Sequence, residues 1–317
     1  MLTCASLFAG VGGIDLGFES AGFKTVYANE FDPYAADTFE SNFNLKVDRR
    51  DIKTIPASEL PDFDILLAGF PCQAFSIAGY RQGFDDEKGR GNLFFEVTRI
   101  MSEKRPRIAF FENVKNLVSH DNGNTFRIIC EQLDLLGYKY LFQVMNGSEF
   151  GNIPQNRERI YIVAFREKDD YANFNLPKSI PLTKTIKDVI DFDNLVDEKY
   201  YYTPNKCKFY DELHKGMSKS DTIYQWRRVY VRENKSNVVP TLTANMGTGG
   251  HNVPLIRTHD GKIRKLTPRE CFNSQGFPSS FTLPEQSNGR LYKQAGNSVV
   301  VPVISRIAKE IAKAIND

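Results

Sequence analysis

From the start of the chain to about residue 165, short apolar runs alternate with segments whose apolar residues recur every three or four positions. The runs at 2–8, 25–29, 64–68, 108–111 and 160–165 read as strands, and 14–21, 33–42, 92–102 and 125–136 read as helices. Gly137 follows the last of these as a helix C-cap. Strand–helix alternation of this kind predicts an α/β fold with a doubly wound, mostly parallel sheet. From about 168 the texture changes. Lys168-Asp169-Asp170, the prolines Pro177, Pro181 and Pro204, and the aromatic, mixed-charge stretch 190–235 show no such alternation, so a second, smaller domain is expected. Apolar positions recur at helical spacing again over 299–315, predicting a final helix that returns to the first domain. The expected division is 1–167 plus 286–317 for the first domain and 168–285 for the second.

Composition adds exclusions. With 41% hydrophobic and 25% charged residues in 317, the chain can bury a core and is neither a disordered tail nor a collagen. No run approaches the roughly 20 apolar residues of a membrane helix, and the start lacks the basic, apolar, small-residue order of a signal peptide, so a cytoplasmic address without membrane partners is expected. Cysteines scattered at 4, 72, 130, 207 and 271 form neither a disulfide framework nor the paired spacing of a zinc site; free thiols and no metal are expected. A formal charge of +2 neither announces nor forbids a nucleic-acid partner.

Four constellations could carry chemistry. Phe8-Ala9-Gly10-Val11-Gly12-Gly13 follows the first strand and opens the first helix, where glycines let backbone approach a ligand. Glu30, at the end of the second strand, suits ribose hydroxyls, which implies an adenosine-containing cofactor; the pattern lacks the full dinucleotide fingerprint, and a ligand-free glycine turn is the ordinary alternative. Gly69-Phe70-Pro71-Cys72-Gln73 puts a thiol on a loop at the ligand-binding edge of the sheet, a position for a nucleophile. Among the other cysteines, Cys207 is the rival, because Lys206 and Lys208 could lower its pKa. Phe111-Glu112-Asn113-Val114 ends a strand at the same edge, where partial burial would raise the Glu112 pKa towards proton transfer; a solvated glutamate is the alternative. In Gln155-Asn156-Arg157-Glu158-Arg159 the two arginines would share one face of an extended segment, suited to phosphate or a carbonyl oxygen, unless they are sheet-edge charge.

Together FAGVGG, GFPCQAFS, ENV, QNRER, LTPRE and GNSV, with Thr241-Leu242, occur in an order that resembles the DNA cytosine-5 methyltransferases of bacterial restriction–modification systems over nearly the whole chain. The resemblance implies a Rossmann-like S-adenosylmethionine-dependent methyltransferase domain and a smaller target-recognition domain, with duplex DNA held in the cleft between them. It places Phe8, Gly10, Gly12, Gly13, Glu30, Phe31, Asp51, Ile52, Gly69, Pro71, Asn297 and Val299 at S-adenosyl-L-methionine, whose product is S-adenosyl-L-homocysteine. It makes Cys72 the nucleophile on a flipped-out cytosine, Glu112 the contact to N3 and the exocyclic amine, Arg159 the contact to O2, Arg157 a phosphate or catalytic-loop contact, and Asn113 the support of Glu112. Gln73, Ser76, Arg81, Gln225, Arg228 and Thr241 would meet DNA, with Arg81, Arg157, Arg227 and Arg228 facing the cleft. A cognate restriction endonuclease is implied as a genetic partner, along with a monomeric, nucleoid-associated enzyme. The first motif begins within ten residues of the start, so no N-terminal regulatory domain is expected. A tRNA cytosine-5 methyltransferase on the same scaffold shares most of these motifs and is the alternative.

Overall fold

The structure is a computed structural model that describes residues 1–70, 93–248 and 252–315. Its Cα packing divides the chain into two compact units: Met1–Met145, Glu158–Pro177 and Ile304–Asp317 form one, and Asn146–Arg157 with Lys178–Val303 form the other. The sequence-based boundaries assigned 146–157, 168–177 and 286–303 to the other side of that division.

The first unit is built on a six-stranded sheet made by β1 (Thr3–Leu7), β2 (Lys24–Asn29), β3 (Ile65–Ala68), β4 (Ile108–Val114), β5 (Lys139–Asn146) and β6 (Glu158–Phe165), in the order β2-β1-β3-β4-β6-β5. β1 runs parallel to β2 and β3, β3 runs parallel to β4, and β6 is antiparallel to β4. Central strands in such a sheet are covered on both faces and read as continuous apolar runs. Ile65-Leu66-Leu67-Ala68 and Ile108-Ala109-Phe110-Phe111 are such runs, and all eight residues are fully buried. Strand order reverses between β1 and β3, the switch point beyond whose carboxyl strand ends open α/β sheets bind ligands. The helices Gly13–Glu19, Pro33–Glu40, Leu93–Lys104 and Asn124–Leu135 fall where the periodicity puts them. Asn124–Leu135 ends in a Schellman cap: Gly137 has φ +80°, and the amides of Gly137 and Tyr138 donate to the carbonyls of Asp134 and Leu133. The final helix, Val301–Ala314, packs on Gly13–Glu19 so tightly that a Cβ at Gly17 would fall 2.4 Å from Ile304, and Ser305 hydrogen-bonds Ser20 at 2.6 Å.

The second unit carries a five-stranded antiparallel sheet of β7 (Tyr201–Tyr202), β8 (Tyr224–Trp226), β9 (Val231–Glu233), β10 (Leu255–Arg257) and β11 (Ile263–Lys265), ordered β7-β11-β10-β8-β9. Its core gathers Cys207, Leu213, Met217, Tyr224, Trp226, Leu255 and Ile263, with Trp226 stacked on Phe209 at 4.4 Å. Arg264 is enclosed beside it, giving both terminal nitrogens to the Glu270 carboxylate at 2.8 Å. Glu270 also closes a capping box with Thr267, so the Leu266–Glu270 motif serves as a buried ionic clasp. Among the described residues no helix is long and apolar enough to cross a membrane.

Candidate functional site

Beyond the carboxyl end of β1 the backbone turns through left-handed conformations at Phe8 (φ +54°), Gly10 (+57°) and Gly12 (+86°). Such a φ costs a bulky residue like Phe8 on the order of 1–2 kcal/mol, and strain of this kind persists only where the surroundings impose it. The restraints are visible. Ala9 N–H donates to Asn29 C=O at 3.0 Å, and Gly10 N–H donates to Glu30 Oε2 at 2.8 Å. Glu30 Oε1 accepts from Asp32 N–H at 2.7 Å, so one carboxylate braces both the first turn and the start of the next helix. A Cβ at Gly12 would fall 2.2 Å from the Phe43 ring, which only glycine avoids, whereas a Cβ at Gly10 would meet nothing within 4 Å. The backbone at Gly10 therefore faces open space beside a carboxylate held in place by two backbone amides. Phe31 next to it is 69% exposed. Asp51 is exposed and caps the short turn Ile52–Thr54 through Lys53 N–H at 3.1 Å, while the Ile52 side chain is buried. Gly13 is buried in the first turn of its helix.

Beneath this loop lies a group that the motif pattern did not single out. Asp15 is fully buried and accepts hydrogen bonds from Ser6 Oγ and Thr25 Oγ1, each at 3.0 Å. Burial pushes its carboxyl up to about 7 against the pull of those two hydroxyls. An aspartate on the buried face of a helix two residues after a glycine pair is the signal that could have found it.

At the end of β4, Glu112 pairs in register with Tyr161 of β6. Its Oε1 stands 3.1 Å from Arg159 Nε, with the two side chains 11% and 13% exposed. Asn113 is buried, donates from Nδ2 to Phe70 C=O at 2.9 Å and accepts from Val114 N–H at 2.8 Å. β3 and β4 lie in parallel register, Ala68 opposite Phe111, so their next residues, Gly69 and Glu112, are neighbours. A Cβ at Gly69 would stand 3.8 Å from Glu112 Oε2. The carboxylate, the guanidinium and the end of the strand leading to residue 71 thus share one edge of the sheet. Pro71, Cys72, Gln73, Ser76 and Arg81 themselves lie outside the described residues.

Arg157 departs from expectation. Its guanidinium donates to the carbonyls of Leu242 (2.8 Å), Gly296 (3.1 Å) and Ser298, and the residue is 2% exposed. A guanidinium enclosed by three carbonyls is not presented to a phosphate, and the strand begins only at Glu158, after it; the expected catalytic-loop contact falls on residues outside the described ones. Thr241 is exposed and donates from its hydroxyl to Asn156 C=O at 2.6 Å. Asn297 ends the helix Asn288–Asn297 and is exposed, whereas Val299 is buried. Gln225 is half-buried in β8 opposite Arg232, and Arg227 and Arg228 are exposed in the turn after it. The Cys207 thiol is pushed up by burial, against the lowering expected from Lys206 and Lys208. Burial raises Cys4, Cys130 and Cys271 as well, so the described thiols are all held away from the thiolate.

Strand-end chemistry in this order along the chain also recurs in known proteins. The family model described as "C-5 cytosine-specific DNA methylase" matches residues 2–313. The chain belongs to this family. It is 62% identical over 316 residues to the Type II methyltransferase M.Bsp6I of Bacillus sp. (strain RFL6), covering 99% of this chain and 100% of that protein. It is 40% identical over 321 residues to the Type II methyltransferase M.HhaI of Haemophilus parahaemolyticus, covering 98% and 94%. Among solved structures, a Spodoptera frugiperda DNMT2 variant superposes with a TM-score of 0.76 at 20% identity, covering 98% of this chain and 99% of that one. A putative DNA modification methyltransferase from an E. coli prophage gives 0.73 at 21% identity, covering 100% of both. At those identities the structures establish the fold alone. As a C-5 cytosine-specific DNA methylase, the chain is a methyltransferase that modifies cytosine at C5 in DNA, and the tRNA alternative is set aside.

Proposed function

We propose that the chain is the modification enzyme of a restriction–modification system, transferring a methyl group from S-adenosylmethionine to C5 of a cytosine flipped out of a short, specific duplex site. The observation that carries this reading is the Glu112–Arg159 pair at the edge where β3 and β4 end. A carboxyl group and a guanidinium 3.1 Å apart offer an acceptor for the exocyclic amine of cytosine and donors for its O2, with N3 met by the carboxyl when it carries a proton. Such an edge is reached only when the base leaves the stack, at a cost of a few kcal/mol.

Cofactor-binding features fit the group. The carboxylate of Glu30 suits the ribose hydroxyls, the exposed ring of Phe31 offers a face for adenine, and the bare backbone of Gly10 permits close approach. Asp51 and Ile52 are assigned to the adenine edge, Phe8, Gly12, Gly13, Gly69 and Pro71 to the rest of the binding loop, and Asn297 and Val299 to the same ligand from their place in the sequence. When bound, S-adenosylmethionine supplies an electrophilic methyl on a sulfonium.

On this reading the Cys72 thiolate adds to C6 of cytosine as the protonated Glu112 carboxyl gives its proton to N3 and accepts from the amine, while Arg159 donates to O2, so that the charge passed into the ring is neutralised. Addition makes C5 an enamine carbon able to take the methyl; loss of the C5 proton and expulsion of Cys72 restore the aromatic ring. Asn113 positions Glu112 by tying the end of β4 to Phe70. Residues 168–285 serve as the target-recognition region, with Gln225 and Arg228 on DNA, and Gln73, Ser76 and Arg81 contribute from the segment after β3. A monomeric cytoplasmic enzyme, associated with the nucleoid through DNA and genetically partnered by an endonuclease, completes the reading. Cys72→Ser tests it: methyl transfer to duplex DNA should vanish while cofactor affinity stays within about threefold, and an active variant would remove Cys72 from the mechanism.

A further inference from the structure

The turn assigned to the adenine edge is held from behind by the helix Leu93–Lys104. Arg99, on that helix, donates from Nη2 to the carbonyls of Ile52 at 3.2 Å and Ile55 at 2.9 Å, one at each end of the turn Ile52–Thr54. A terminal guanidinium nitrogen carries two hydrogens, so a single nitrogen serves both acceptors. Glu96, one helical turn earlier, accepts from Arg99 Nε at 2.8 Å and fixes the plane of the fork, the two side chains being 20% and 25% exposed. Apolar packing sets the approach of the two elements: Ile52 and Ile55 are buried in one cluster with Val97, Ile100 and Met101 of the helix.

The Ile52 carbonyl and the Lys53 amide belong to one rigid peptide plane. Arg99 holds its oxygen, while Asp51 Oδ1 accepts from its N–H at 3.1 Å. The exposed Asp51 carboxylate is therefore oriented by a peptide that Arg99 orients in turn. Thr54 Oγ1, donating to Asp51 C=O at 2.8 Å, closes the turn on itself. Both bonds made within the turn are local, whereas those from Arg99 reach 44 and 47 residues along the chain.

We propose that Arg99 is a positioning residue for S-adenosylmethionine: through the Ile52–Lys53 peptide it sets the Asp51 carboxylate that accepts from the adenine amine, and so governs cofactor affinity without touching the cofactor. A carboxylate already fixed in the free protein loses less freedom when the ligand arrives, and binding is tighter for it. The proposal rests on the assignment of Asp51 and Ile52 to adenine, which Asp51→Ala tests separately.

Titration calorimetry of the full chain with S-adenosylhomocysteine and with adenosine, beside methylation kinetics on duplex DNA, is the test. Arg99→Met keeps much of the side-chain volume and removes the donors. Both dissociation constants should rise by the same factor, about 10–50-fold, because the loss falls on the adenosine end that the two ligands share. KM for S-adenosylmethionine should rise with them while kcat at saturation stays within about threefold. Arg99→Lys should recover part of the affinity, since an ammonium can still reach a carbonyl, and Glu96→Gln, which loosens the fork, should weaken binding about 2–5-fold. Unchanged affinity for both ligands in a folded Arg99→Met protein would overturn the proposal. So would a fall in kcat that follows the loss of folded protein with KM unmoved, the behaviour of a purely structural arginine. If Arg99→Met does not fold, unchanged affinity in both Arg99→Lys and Glu96→Gln would overturn it equally. Wild-type affinity for S-adenosylhomocysteine in Asp51→Ala would remove the adenine assignment, and the proposal with it.

Discussion

Arg159 meets the carboxylate of Glu112 at the rim of the sheet, while Arg157, two residues earlier, is closed in by the carbonyls of Leu242, Gly296 and Ser298. Both carry the same charge, and their surroundings give it opposite uses. A guanidinium in a buried shell of carbonyls has its desolvation offset by hydrogen bonds and holds three backbone segments in one arrangement. A guanidinium paired to one carboxylate at a strand end keeps donors for an incoming planar ligand. Within the QNRER motif, therefore, one arginine is enclosed by backbone carbonyls and the other is paired with a strand-end carboxylate, and the proposed function gives the chemistry to the second.

Substitutions should separate the two. Glu112→Gln removes the charge and keeps the shape, so kcat should fall by about 10²–10⁴-fold with the melting temperature within a few degrees; a matching loss of stability would show that the pair is structural. Arg157→Met should do the reverse. Three carbonyls lose their donors, unfolding free energy should drop by about 3–5 kcal/mol in denaturant titration, and residual activity per folded molecule should be near wild type. Arg157→Lys should not rescue it, because an ammonium cannot span three acceptors with the planar fork.

Asp15 extends the comparison to a buried acid. Its folded-state pKa is raised from 3.8 to about 7, so the neutral carboxyl is the form the fold favours. Its contribution is complete below about pH 4 and is lost as pH climbs through 7. Measured by denaturation, Asp15→Asn should gain about 2–3 kcal/mol on wild type between pH 5 and pH 8; a pH-independent difference would place the ionised form comfortably in the core. The smallest effect is expected for Arg159→Lys, which keeps the charge near Glu112 but narrows the donor fan: about a tenfold loss in kcat/KM with stability unchanged.

How much of this could be read in the chain depends on where the partners lie. β3 and β4 are buried apolar runs followed by Gly69 and by the polar pair Glu112-Asn113, so their positions and their common edge are local information. β5 escaped because it is an edge strand whose residues are half-covered without alternation. The second sheet escaped because its strands are two or three residues long, too short for a period. Arg157 looked catalytic because its acceptors are backbone carbonyls 85, 139 and 141 residues away, and a carbonyl has no sequence signature. Glu112 and Arg159 were each legible as candidates, and the resemblance set both on one base, but their 3.1 Å contact needed the antiparallel register of β6 against β4.

The central claim, covalent activation of cytosine beside Glu112 and Arg159, is tested most directly by trapping. Incubating the full chain with S-adenosylmethionine and duplex DNA carrying 5-fluorocytosine at the methylated position blocks loss of the C5 substituent. A denaturation-resistant protein–DNA adduct through Cys72, absent in Cys72→Ser, is the predicted result; methylated wild-type substrate without any adduct would contradict the account.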